Sequence, residues 1–222
     1  MSSESGETDG IVIRVMNVSD FQDAKKAMGG NVNNDEPLDT ACGRYVRKGS
    51  EQEDDEYHIS MVEQGTSLVA IDEKNGGRIV GIVLAAAHTP SDLNRYSKGV
   101  KALTDFERID IFIAKVENEA NLYQRYGVSK LLCSHITNVD ATMRGKGLGA
   151  RLTVALIDVA RSKGYPLLVA NCTSFYSARQ KQALGMECVY KIAYEDYKDE
   201  NGQVVFNPPK PHTHVRVMAI KL

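Results

Sequence analysis

Apolar and polar positions alternate with a period of two over residues 11–17, IVIRVMN, which predicts a strand. The pattern then turns helical. Ser19 and Gln22 have the spacing of a capping box, and DFQDAKKAM reads as a helix. DEPLDTACGRYVRK places Leu38, Ala41, Cys42, Tyr45 and Val46 at helical spacing, with Pro37 at the first position, where its missing N–H costs nothing. Residues 66–88 return to strand patterning in two runs around the turn EKNGGR. Over residues 103–126, Ile109, Phe112, Ile113, Val116, Ala120 and Tyr123 fall on one face of a long helix that Gly127 ends.

KLLCSHITNV reads as the next strand. A glycine-rich turn follows, then a helix whose apolar stripe is Leu152, Ala155, Leu156, Val159 and Ala160, stopped by Lys163 and Gly164. PLLVANCTS is a buried strand, YSARQKQAL a short helix and Gly185 its stop. ECVYKIAYEDY and HVRVMAIKL close the chain as strands, joined by the polar loop KDENGQVVFNPPKPHT. Strands and helices interleave, so the expected class is α/β with a mixed sheet and helices between strands.

Length and charge narrow the picture. The chain has 222 residues, which suits one domain over residues 11–222 behind a polar tail at 1–10. That tail has neither the basic nor the apolar stretch of a secretory signal. With 27 Lys+Arg against 29 Asp+Glu, no basic excess points to nucleic acid or an anionic membrane. No apolar run approaches the ~18 residues that span a bilayer. Cys42, Cys133, Cys172 and Cys188 are scattered, three of them in apolar runs, and read as buried thiols of a cytoplasmic protein.

The candidate chemistry starts at the glycine turn, where Gly145, Gly147 and Gly149 follow Arg144 and open a helix. The first N–H groups of a helix have no internal acceptor and carry partial positive charge, which makes an anion site suited to a phosphate or diphosphate. Glycine allows close backbone approach and positive φ, and Arg144 and Lys146 add charge. The same residues also suit a plain tight turn. A Walker loop fails, because Lys146 is followed by glycine and Asp140 takes the first-glycine place. The dinucleotide fingerprint is a weak match, since the chain has G-x-G-x-G late in the order of strands.

Arg144-Gly145-Lys146-Gly147-Leu148-Gly149 has the form [QR]-x-x-G-x-[GA], which resembles the acetyl-CoA motif of the GNAT superfamily of N-acetyltransferases. The resemblance runs from about residue 11 to 222 and includes the closing step SARQKQALGMECV. More narrowly, NDEPLD, CTSFYSARQKQALG and PPKPHTHVRVM are similar to the insect arylalkylamine N-acetyltransferases, the dopamine/serotonin-type branch. The resemblance implies a GNAT fold: a central, mostly antiparallel twisted sheet of about seven strands flanked by helices. It also implies transfer of acetyl from acetyl-CoA to a primary amine, with no metal. It carries the catalytic glutamate onto Glu36 and a serine, as acid or substrate contact, onto Ser177. The family's other serine falls on Thr173, a departure that adds a methyl, with Ser174 adjacent.

Acetyl transfer needs a deprotonated amine, a polarised thioester carbonyl and a neutralised leaving thiolate. Glu36 would be the base. A helix start lowers its pKa, whereas burial and the acids Asp35 and Asp39 raise it. A plain first-turn helix acid is the other reading of Glu36. Backbone N–H groups near Asn138 and Val139 would polarise the thioester oxygen, and broken strand pairing there would let pantetheine add like a strand. Cofactor contacts are expected along Asn138, Val139, Asp140, Arg144, Gly145, Lys146, Gly147, Leu148 and Gly149, and at Ser174, Tyr176 and Ser177. Ser177 or Tyr176 would protonate the sulfur, while Thr173 and Ser174 also suit a plain helix cap.

His58, His88 and His135 stand isolated, and His212 and His214 offer two metal ligands at best. SEQEDDE reads as a solvated loop or helix face. Other readings on the same fold are a polyamine acetyltransferase, a catalytically silent CoA-binding module, and an enzyme acting on protein lysines or N-termini. A monomer is expected.

Overall fold

The computed structural model describes residues 9–29, 36–41, 51–93 and 105–222. Seven strands form one sheet in the order β1-β2-β3-β4-β5-β7-β6. They are β1 Ile11–Val15, β2 Leu68–Asp72, β3 Arg78–His88, β4 Leu131–Val139, β5 Leu167–Cys172, β6 Glu187–Ala193 and β7 His214–Lys221. Every neighbouring pair is antiparallel except β4 and β5, which run parallel. The α-helices are α1 Phe21–Gly29, α2 Pro37–Ala41, α3 Glu51–Glu63, α4 Asp105–Ala120, α5 Leu122–Tyr126, α6 Leu148–Ser162 and α7 Phe175–Ala183. This is the α/β sheet-and-helix arrangement of the GNAT fold.

Apolar residues on both faces of the central strands explain why the sheet is sandwiched. In β3, Val83 and Ala85 join the core under α6, while Ile82, Leu84 and Ala86 join Phe21, Met61 and Val62 of α1 and α3 on the other face. A strand covered on both sides reads as one apolar run. Helix α6 buries Leu148, Leu152, Leu156, Ile157 and Ala160. A Cβ on Gly81 would stand 3.0 Å from Leu152 Cδ1, so glycine lets α6 lie close on the sheet. Over β4, β5 and β7, the face opposite α6 is covered by Leu38 of α2, by Phe112 and Val116 of α4, and by Phe206.

Several expectations change. The α1 region is entered through a 3-10 turn, Val18–Asp20, in which the Asp20 carboxylate accepts the Asn17 N–H (2.8 Å); Ser19 and Gln22 form no box. The long helix is two, because Asn121 adopts a left-handed φ of 48° between α4 and α5. Asparagine tolerates that conformation better than other side chains bearing a Cβ. Of the two readings of SEQEDDE, loop or helix face, the helix holds, with α3 beginning at Glu51. The loop read as polar carries Phe206 into the core, 1% exposed, stacked on Tyr197 and tilted against Phe112. Cys133 and Cys172 are buried but Cys188 is exposed, and all three are free thiols. Cys42, Tyr45 and Val46 lie outside the described residues, as does Asp35. No described helix is long and apolar enough to cross a membrane.

Candidate active site

The two parallel strands at the middle of the sheet part company early. Strands β4 and β5 pair only at Leu132–Leu168, Cys133–Val169 and Ser134–Ala170. Beyond Ser134, β4 follows β3 to Val139 while β5 follows β7 to Cys172, which opens a wedge. A register slip at His135 bends β4 at the start of that wedge. The Asp140 N–H donates to Val80 O (2.9 Å). Alternation along an antiparallel ladder therefore sends the Asn138 N–H to β3 and aims the Thr137 and Val139 N–H groups into the wedge. Of the expected pair, Val139 faces the opening and Asn138 does not; Thr137 takes that place.

The glycine turn closes the wide end. The Asp140 carboxylate accepts the Thr142 N–H (2.8 Å) and an Arg78 N–H (3.3 Å), so it braces the turn. Arg144 Nε donates to Val139 O (3.2 Å). Gly145 and Gly147 have φ of 74° and 78°, and a Cβ at either would meet nothing, so backbone conformation and not space demands glycine there. Gly149 is helical, and its Cβ would stand 2.9 Å from Gln180 Nε2 of α7. The first internal bond of α6 runs from the Arg151 N–H to Gly147 O, which leaves the N–H groups of Leu148, Gly149 and Ala150 open. Lys146 is exposed with its ammonium on Met143 Sδ (3.9 Å). These groups fit a diphosphate. A groove of about 360 Å³ between Lys74, Lys146, Arg151 and Asp9 lies on the β1–β2 side of the turn.

Glu36 stands immediately before α2 as its N-cap. Its Oε2 accepts the Asp39 N–H (2.8 Å), and the carboxylate also takes the Leu38 N–H and the Thr173 hydroxyl. Burial pushes its pKa up; the three donors oppose this and the Asp39 charge adds to it, with burial the largest influence. Thr173 is held at both ends, since its carbonyl accepts the hydroxyl of buried Tyr194 (2.7 Å). Burial first, and then the Glu36 charge, raise the Tyr194 pKa far above the ordinary range, so Tyr194 stays a neutral donor.

Ser174 caps α7, accepting the Tyr176 N–H (3.2 Å). Ser177 donates to Ser174 O (3.0 Å) and borders the Cys172 thiol, whose pKa burial raises. Tyr176 is 63% exposed, edge-on to His212, whose Nδ1 accepts the Phe175 N–H (3.2 Å). His212 is thereby tied to α7 while His214 lies in β7 against Thr213 (2.8 Å), so the two do not converge. Among the described residues no three metal-ligating side chains gather.

A second half-buried acid is not among the residues the sequence points to. Asn171 Nδ2 donates to Glu117 of α4 (2.6 Å), and Asn171 Oδ1 is buried without a hydrogen-bond partner. His88 and His135 are not isolated: their rings lie 6.1 Å apart, and His88 Nδ1 meets the Tyr123 hydroxyl (3.2 Å). The signal was present in LLVANCT, where the polar side chains Asn171 and Thr173 recur at a spacing of two at the end of an otherwise apolar strand.

No protein-family model matches the chain. Solved structures do. A mosquito arylalkylamine N-acetyltransferase like 5b is 29% identical, with TM-score 0.82, over 96% of this chain and 100% of that one. The Drosophila melanogaster polyamine N-acetyltransferase, an enzyme that catalyses formation of N-acetylagmatine, is 30% identical, with TM-score 0.79, over 96% and 100%. Arylalkylamine N-acetyltransferase 2 from Aedes aegypti is 24% identical and shares the fold, with TM-score 0.82 over 95% and 98%.

Proposed function

This chain belongs to the GNAT superfamily of N-acetyltransferases, and on that footing we propose that it moves acetyl from acetyl-CoA to the primary amine of a small arylalkylamine, of the dopamine, serotonin or tyramine kind, with Glu36 as general base. Bound acetyl-CoA supplies the activated thioester; the remaining work falls to the chain. Glu36 takes a proton from the incoming ammonium and frees its lone pair. A carboxyl held above its ordinary pKa is the stronger base for that task. The Thr173 hydroxyl fixes which way the carboxylate faces. The Val139 and Thr137 N–H groups stabilise charge on the carbonyl oxygen as it becomes tetrahedral. The open N–H groups of α6, with Arg144 and Lys146, hold the diphosphate. Ser177 or Tyr176 returns a proton to the departing sulfur. The protein does this as a single domain from residue 11 onward and as a cytoplasmic monomer, which light scattering after gel filtration tests for mass.

The observation that carries the reading is the Glu36–Thr173 pair at the lip of a wedge whose other end is the glycine turn. Release of free thiol from acetyl-CoA, followed with a panel of arylalkylamines, is the direct test. No amine-dependent release with any of them overturns the assignment. A second reading, an amine carrying another positive charge, is favoured by the carboxylate of Glu117.

A further inference from the structure

Among the described residues, the one cationic influence on the Glu117 carboxylate is the His88 imidazole. Burial pushes the Glu117 pKa up, His88 and the Asn171 amide oppose that, and Asp92 adds to it. Among the described residues no lysine or arginine pairs with it. A buried charge left unpaired is expensive, and it is retained where a ligand completes it. The neighbouring Asn171 sharpens the demand. Its amide nitrogen must face the carboxylate, which only accepts, and this leaves the buried Oδ1 with nothing to accept from. The site is therefore rich in acceptors and short of donors.

Beside Glu117 lies a small cavity lined by His88, Leu93, Tyr123, Leu131, Cys133 and Val169. Its free volume is about 10 Å³, close to the least that admits one water-sized group. An ammonium has that size and an aromatic ring does not. The cavity shares a sheet face with the base: Leu38, two residues after Glu36, and Val116, next to Glu117, pack in one core with Val169. The two acids bond residues two apart at the end of β5, Thr173 and Asn171. That spacing is roughly 6–7 Å along an extended chain. At ~1.2 Å per bond, the same span separates the nitrogens of an extended four- or five-carbon diamine.

We propose that Glu117 and Asn171 form a subsite for the distal ammonium of a short diamine whose other nitrogen is presented to Glu36. This rests on the acetyl-transfer reading above and takes the second of its substrate classes, an amine carrying another positive charge. The cation donates to the Glu117 carboxylate and, across the gap, to Asn171 Oδ1, while the aliphatic tether lies on apolar wall.

The test compares 1,4-diaminobutane with n-butylamine, which differ only in the second nitrogen, in wild type and Glu117→Gln. In wild type the diamine has the higher kcat/KM. In the variant the diamine-to-monoamine ratio falls at least tenfold, with acetyl-CoA KM and melting temperature as controls for folding. A ratio that does not move overturns the subsite, as does a wild type that prefers the monoamine. Calorimetry of 1,4-diaminobutane into CoA-loaded protein reads the subsite without turnover. Binding weakened tenfold or more by Glu117→Gln supports it, and equal binding overturns it. If the diamine binds in a Glu117-dependent way but no amine is acetylated, the transfer reading fails and the subsite stands.

Discussion

The hydroxyl of Thr173 donates to the carboxylate of Glu36. A strand end thereby steers an acid borne by a helix start on another part of the chain. A hydrogen bond to the charged form lowers a carboxyl pKa, so this bond restrains the rise that burial imposes. Thr173→Val keeps the shape and removes the donor. The acid limb of the kcat/KM profile then moves to higher pH, and kcat/KM at pH 7 falls by about tenfold, the worth of one hydrogen bond to a charged group. Thr173→Ser restores both. Initial rates from pH 5 to 9 check it.

Glu36→Gln separates rate from stability. Without the base, kcat/KM falls by ~10²–10⁴-fold. The folded-state pKa of Glu36 is raised, so folding favours the protonated carboxyl, and stability is lost as pH rises through that folded pKa. The amide carries no such dependence. Melting curves are expected to show the variant gaining on wild type between pH 4 and pH 8.

The glycines of the turn differ in why they are there. At Gly147, φ of 78° makes any side chain strained, and Gly147→Ala costs ~1–2 kcal/mol and weakens CoA binding. At Gly149 the new Cβ meets only the far end of the Gln180 side chain, which can move. Gly149→Ala costs less than ~1.5 kcal/mol, and Gln180→Ala in the same chain recovers most of it. Chemical denaturation of the three variants measures this.

Arg144→Ala is expected to raise the acetyl-CoA KM by about tenfold while leaving the fold intact, because its charge lies on the exposed side of the turn. The ratio of variant to wild-type KM shrinks between 50 mM and 500 mM salt, as screening weakens an exposed pair. A ratio that does not change with salt would assign Arg144 a structural role.

Core positions were readable because they repeat. The α6 stripe of Leu152, Leu156 and Ala160 and the continuous apolar run of β3 announce themselves in spacing and composition. The resemblance of NDEPLD to the family points to Glu36, where the residues alone also suit a plain helix acid, and its helix start and opposing influences on pKa are legible too. What Thr173 does with its hydroxyl is not, because the partner is 137 residues away and the contact depends on where β5 ends relative to α2. Glu117 and Asn171 escaped for the same reason, since neither sits in a motif and only the packing of α4 on β5 joins them. Asn121 hid a helix break, because one left-handed residue leaves the apolar periodicity on either side almost unchanged. Phe206 hid in a segment rich in proline and charge, where one aromatic was enough to anchor the loop.

Three residue pairs are all the strand pairing that joins the two halves of the sheet across its middle. A linear molecule with amides along its length, laid in the wedge, would act as a rivet between plates that are otherwise held there by side-chain packing alone. Loading with CoA should then do more than fill a site. It should stiffen the whole domain, seen as slowed amide exchange on β4 and β5 far from the diphosphate and as a sharper, later thermal transition.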